Sequence, residues 1–351
     1  MLKERKVMKK YTLCFVVPYF GKLPSNIEIF LKTCEYNKNF NWLLFTDDKT
    51  KYQYPDNVLN VQCTFEQFVN KIQKKIKIPI SVNTPKKLCD YKPAYGYICE
   101  NELKRYDFWG YCDLDQMFGD LNKFIKDEIL EKYDKLFCLG HMTIFRNNEK
   151  TNKLFMKEIN DKTYLKTNYK QIFQDENNNV FDEWPDKIVN INVLAQIYNI
   201  PTYYESNMVD IVPFRSTFVD TQYSVEKQEW NIDNSRKNFI VLWEQGKIYI
   251  CTKNRIGNIS KVEVGYVHMQ KRKIKLVNKC KKNTSCIIVI PNKYYCLEDI
   301  NEDRINRMFF LIQIKSIFKI DELRKKKDDF FCLWKHRFNK YILEQLRSHR
   351  P

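Results

Sequence analysis

The sequence predicts an α/β protein with an open, mostly parallel mixed sheet flanked by helices. Three observations lead there. Short apolar runs rich in β-branched and aromatic residues alternate with segments of helical period through the first 80 residues. Pro18 and Gly21 punctuate the first run. Carboxylates gather where runs stop, at Asp47–Asp48 and Asp113–Asp115, and an open α/β sheet collects its ligands at the carboxyl ends of its strands.

Taken in order, Thr12–Phe20 (TLCFVVPYF) predicts a buried first strand. SNIEIFLKTCEYN then predicts a helix, with Ile27, Phe30, Leu31 and Cys34 on one face and Ser25 as N-cap. Asn41–Asp48 is a second strand and Asn57–Cys63 a short third, followed by a helix over FEQFVNKIQKKI. Lys92–Lys104 has helical spacing. Asp107–Cys112 is a strand that runs into Asp113. Lys135–Asn147 supplies one or two more strands, and residues 150–180 are polar and Asn-rich, a helix and a loop. KIVNINVLAQIYNI is helical, Phe239–Asn254 is a hairpin turning at Gly246, and Val262–Lys273 is a strand entering a basic loop. Two basic amphipathic helices are expected near the end, over Arg304–Ile320 and Phe331–Gln345. These readings assign residues 1–275 to one catalytic domain and 276–351 to a basic, largely helical extension.

The net charge of +17 is uneven. Lys271–Pro351 holds 21 Lys and Arg against 9 Asp and Glu and so carries +12 of it. A separate element is thus responsible for the basic excess, and its amphipathic helices suit an anionic membrane surface. Packing their apolar stripes on the main domain is the commoner use of such helices. No RNP, zinc-finger or helix-turn-helix signature is present, so no nucleic acid is expected. A Walker A loop and a G-x-G-x-x-G are absent, which argues against P-loop and dinucleotide sites. The 12 Cys include no C-x-x-C pair and fit buried, reduced thiols. No run reaches the ~18 apolar residues of a membrane span. The expected location is cytoplasmic, peripheral at most on the inner membrane face.

Asp113 and Asp115 stand one residue apart at a strand end. Residues i and i+2 of a strand share a face, roughly 6.6 Å apart at Cα, so their oxygens can converge on one Mg²⁺ or Mn²⁺. A bare D-x-D is expected by chance in a chain of this length; the apolar strand before it is what gives it weight.

Seven segments in order carry a resemblance: FVVPYFGKLP, LLFTDD, KLCDYKPAYGYI, YDFWGYCDLD, FGDL, GHMTIFRN and GYVHMQKRK. With them the chain resembles nucleotide-sugar glycosyltransferases of the GT-A fold. More closely, it is similar to a bacterial family associated with capsule and surface-polysaccharide genes. The resemblance implies an Mn²⁺ or Mg²⁺ held by Asp113, Asp115 and His268, and a nucleotide-sugar donor, a UDP-sugar foremost. Pro18, Tyr19, Phe20, Asp47, Asp90, Lys92 and Lys271 would contact that donor. His141, Arg146, Asn147 and Trp184 would line the sugar or acceptor side, and Asp182 or Glu183 would be the base. The acceptor would be a glycan or a lipid-linked sugar. Two other readings stay open: a nucleotidyltransferase, which also uses paired Asp but usually wants a third carboxylate and a phosphate loop, and a basic binder of nucleic acid or membrane.

Overall fold

The computed structural model describes residues 10–317 except 186, 213–216, 228, 271, 273 and 282. The chain forms two compact units. The first comprises residues 10–209 with 245–248 and 263–268; the second takes up the described residues of 210–244, 249–262 and 269–317.

The first unit is a mixed α/β layer. Its strands are β1 (Leu13–Pro18), β2 (Phe40–Thr46), β3 (Val58–Gln62), β4 (Phe108–Cys112), β5 (Gln116–Phe118), β6 (Lys135–Leu139), β7 (Met142–Arg146) and β8 (Thr202–Tyr203). All but β5 build a seven-stranded sheet of order β3-β2-β1-β4-β7-β6-β8. The β3-β2-β1-β4 half is parallel, and β7 runs antiparallel to both β4 and β6. The apolar runs of β1, β2 and β4 are buried almost throughout, as central strands covered on both faces must be. Helix α1 (Ile27–Glu35) buries Ile27, Phe30, Leu31 and Cys34, the predicted face, but Asn26 and not Ser25 occupies the N-cap position. Helix α2 (Phe65–Lys75) starts from a capping box between Thr64 and Gln67.

Two local expectations change. Lys92–Lys104 is not one helix: a 3₁₀ segment over Pro85–Ala94 leads into single turns at Tyr95–Ile98 and Glu100–Leu103. Pro93 lies within it, and a proline removes a helix donor and clashes with the preceding turn. The strand β5 was not anticipated, since three residues are too few to show a period. It pairs antiparallel with β14 (Tyr266–His268), opposing His268 to Gln116.

The second unit is mostly antiparallel sheet. Besides β14 and the strands named below, the chain after β8 holds β9 (Met208–Ile211), β12 (Lys247–Lys253), β13 (Ile259–Val264) and β15 (Lys275–Leu276). The unit contains β10 (Phe218–Ser224) paired antiparallel with the long β11 (Glu229–Glu244), which pairs in turn with β16 (Cys286–Ile290). β16 and β17 (Lys293–Leu297) form a hairpin, so the described residues beyond 275 hold strands as well as the helix Glu302–Ile317. Its charge hid the β-branched run CIIVI, the Pro291–Asn292 turn and the alternating KYYCL. The expected hairpin at Gly246 is present, with Gln245 and Gly246 both at positive φ. The helix Glu302–Ile317 buries Ile305, Phe309 and Ile312 against Ile240, Leu242 and Ile288. Its apolar stripe therefore serves packing. The second expected helix, Phe331–Gln345, lies outside the described residues. Among the described residues no helix is long and apolar enough to cross a membrane.

Candidate functional site

The site is built at the carboxyl end of β4, inside the first unit. The Asp113 amide donates to the His141 carbonyl at 3.0 Å, which ties the end of β4 to the β6–β7 turn. Because β14 lies beside β5, His268 Nε2 comes within 3.3 Å of Asp115 Oδ1. One ligand atom from each of Asp113, Asp115 and His268 lies within 4.8 Å of the others. Two ligand atoms on one ion at about 2.1 Å stand at most about 4.2 Å apart. Closing the three onto an ion therefore takes small side-chain movement, and two carboxylate oxygens with one imidazole nitrogen suit Mn²⁺.

His141 packs against His268, ring centroids 4.2 Å apart, and is buried. Gln116 Nε2 lies 3.2 Å from His141 Nδ1 and donates to the His141 carbonyl at 2.8 Å. Burial, and then the neighbouring His268, push the His141 imidazole well below the usual histidine range, so it is neutral. His141 thus supports His268 from within and does not present an open sugar contact. Gln116 is the residue that sequence reasoning missed here; only its place directly after Asp115 hinted at it.

Lys92 is also redirected. Its Nζ donates to Asp113 Oδ1 at 2.7 Å and to the Gly140 carbonyl at 2.7 Å, and lies 3.2 Å from Asp182 Oδ2. Burial opposes its charge, but Asp113 and Asp182 together overcome that and hold the ammonium well above the usual lysine range. Lys92 is therefore an internal cation joining two acids, and its amine is already occupied. Asp182 is buried, and burial raises its carboxyl to about 7, helped by Glu183 and Asp113 and resisted by Lys92. Glu183 is half-buried, with Oε1 3.2 Å from the Gly140 amide.

The acidic turn that carries Asp182 and Glu183 has almost no regular structure, yet it is fixed from two sides. Asp90, fully buried and paired with Lys87 at 2.7 Å, accepts the Asn179 and Phe181 amides. Asn192 donates to the Glu183 carbonyl at 3.1 Å and accepts from Lys135 at 2.7 Å. Lys135 has no carboxylate partner among the described residues, and burial pushes its ammonium down to about 8. Gly140 permits the close approach: a Cβ there would stand 2.5 Å from both Asp182 Oδ2 and Glu183 Cγ. Asp90 is thus a brace, not a donor contact.

Other expected contacts fall elsewhere. Arg146 pairs with Asp134 at 2.6 Å and lies opposite Phe108 in the register, at the start of β4 and so at the other end of the strand from Asp113. Asn147 bonds the Leu103 and Tyr106 carbonyls there. Phe20 is buried against Phe65 and Phe68, so its ring is core. Asp47 accepts the Gly21 amide at 2.7 Å and Asp48 the Leu23 amide at 2.8 Å; both brace the loop after β1. Pro18 closes β1 opposite Phe45, and the Tyr19 amide donates to the Phe45 carbonyl. Tyr19 does neighbour the site: burial and then the Asp115 charge raise its phenol. Trp184 is half-buried and its side chain meets Cys138. Lys271 lies outside the described residues.

No curated protein matches this chain. A family model described as a family of unknown function, DUF6625, matches residues 15–298. That span takes in every residue of the cluster around Asp113, and the chain belongs to DUF6625.

Proposed function

We propose that the protein is a metal-dependent glycosyltransferase of GT-A type, moving a sugar from a nucleoside diphosphate to a glycan or lipid-linked acceptor in surface-polysaccharide synthesis. One observation carries the reading: Asp113, Asp115 and His268 converge at the carboxyl end of a central strand, where an open α/β sheet meets its ligands. A divalent ion held there would neutralise the departing pyrophosphate as a Lewis acid.

The chain's own residues then divide the work. Asp113 and Asp115 would supply oxygens, and His268 a nitrogen, its ring packed against that of His141. The Asp115 charge reaches the Tyr19 phenol. Glu183, half-buried and hydrogen-bonded to Gly140, is positioned to take a proton from an acceptor hydroxyl. Asp182, held by Lys92, fixes that turn against Asp113.

Thermal shift with Mn²⁺, with uridine diphosphate, and with both tests the reading. Stabilisation should require both together, and ligand at 100 times its Kd adds about 2.7 kcal/mol. Asp113→Asn and Asp115→Asn should each abolish it. Variants that bind Mn²⁺ and nucleotide like the parent would refute the site.

A further inference from the structure

The first unit carries a surface depression of about 760 Å³ between α2 and the turn Tyr97–Asn101, a size typical of ligand sites. None of the site residues above lines it. Its lining holds Lys71, Lys74, Lys75 and Lys77 and no carboxylate. Lys71 and Lys75 are held in place by Glu102 and Glu100, which lie outside the lining, and each ammonium sits over an aromatic ring, Phe45 and Tyr97. Lys74 and Lys77 have no carboxylate partner among the described residues, so the depression keeps a positive excess. Asn70 and Asn101 also line it, both exposed, with no side-chain hydrogen bond among the described residues.

We propose that this depression binds an anionic saccharide. The Lys74 and Lys77 ammonium groups, the latter also donating to the Lys74 carbonyl at 2.7 Å, lack a counter-charge among the described residues and match a carboxylate or phosphate. The uncommitted amides, each both donor and acceptor, match sugar hydroxyls. The half-buried Tyr97, with the Lys75 ammonium over its ring, fixes that cation at the edge of the depression. A bare anion would leave the amides unused, and a neutral sugar would leave the lysines uncompensated. The site is independent of the metal cluster, and its failure would leave the reading above untouched.

Isothermal titration of the full chain tests it, using four tetrasaccharide-sized probes: a uronic-acid oligomer, a phosphorylated oligomer, a neutral oligomer and a short oligonucleotide, with inorganic phosphate alongside. One or both charged saccharides should bind saturably, and the tighter one identifies the anion. The neutral oligomer and inorganic phosphate should bind at least roughly ten-fold more weakly. Lys74→Ala/Lys77→Ala and Asn70→Ala/Asn101→Ala should each weaken binding roughly ten-fold, and Asp113→Asn should leave it unchanged. The proposal is overturned if no charged saccharide binds, if neutral oligomer or phosphate binds equally well, if the oligonucleotide binds tighter, or if the paired variants have no effect.

Discussion

Lys92→Met probes the internal cation that joins the two acids. The Lys92 side chain is 10% exposed, Asp182 4% and Asp113 36%. Only the Asp182 pair is therefore buried on both sides, and the Asp113 pair is discounted for solvent, at under about 1 kcal/mol. Breaking a buried pair by removing one partner costs about 3–5 kcal/mol, because the remaining charge is left without compensation. For a unit of this size that lowers the melting temperature by roughly 6–20 °C. The penalty depends on pH in a set direction. The folded-state carboxyl of Asp182 is raised to about 7. The ammonium–carboxylate attraction exists only where that carboxyl is ionised, so the loss should be largest above about pH 7 and should shrink towards about pH 5, where the group carries its proton. Differential scanning calorimetry at both pH values reads the effect. Lys92→Met/Asp182→Asn should recover most of the loss at the higher pH. A single variant that melts within about 2 °C of the parent there, or loses as much in acid, would show that Lys92 is not the compensating charge.

Three further outcomes follow from the same geometry. Gly140→Ala should cost about 1–3 kcal/mol by overpacking against the acidic turn, and a spectroscopic probe at residue 183 should report the turn displaced. Asp90→Asn leaves Lys87 buried without its counter-charge and should raise the hydrogen-exchange rates of the Asn179 and Phe181 amides more than those of β1, as measured by mass spectrometry. Asp48 is held down to about 2 by the Thr50 hydroxyl and by the Leu23 and Thr50 amides. A depressed carboxyl stabilises above its unfolded value and loses that stabilisation as pH falls through the folded one. Asp48→Asn should therefore flatten the acid limb of the melting-temperature profile between about pH 4 and pH 2.

Much of the sheet was legible because its strands are long, apolar and punctuated. β1, β2 and β4 follow from their apolar runs and the residues that stop them, and helices α1 and α2 from their period. The placement of Asp113 and Asp115 at a strand end was equally legible, since it needs only the strand before them. The approach of His268 was not derivable from spacing: it depends on β5 and β14, two three-residue strands whose pairing spans about 150 residues of chain. Arg146 misled because a motif at the end of one strand was read without its partner's direction; antiparallel pairing sends it to the far edge. Lys92 and Asp90 misled for another reason. A sequence shows that a charged residue is present but not how deeply it is buried, and both act here as internal braces. The second unit was hidden by its charge, which drew attention away from the alternation in β16 and β17.

The antiparallel return of β7 beside β4 has a consequence for folding quality. Cys112 opposes Met142, and the turn brings His141 back to the end of β4. A one-residue slip of β7 would send every one of its side chains to the opposite face. His141 would then leave His268, and the Gly140 carbonyl would leave Lys92. A preparation of such slipped molecules would keep its circular-dichroism spectrum almost intact while losing the proposed metal affinity. Stoichiometry of Mn²⁺ uptake, more than helix or strand content, would then count the correctly threaded fraction of a refolded sample.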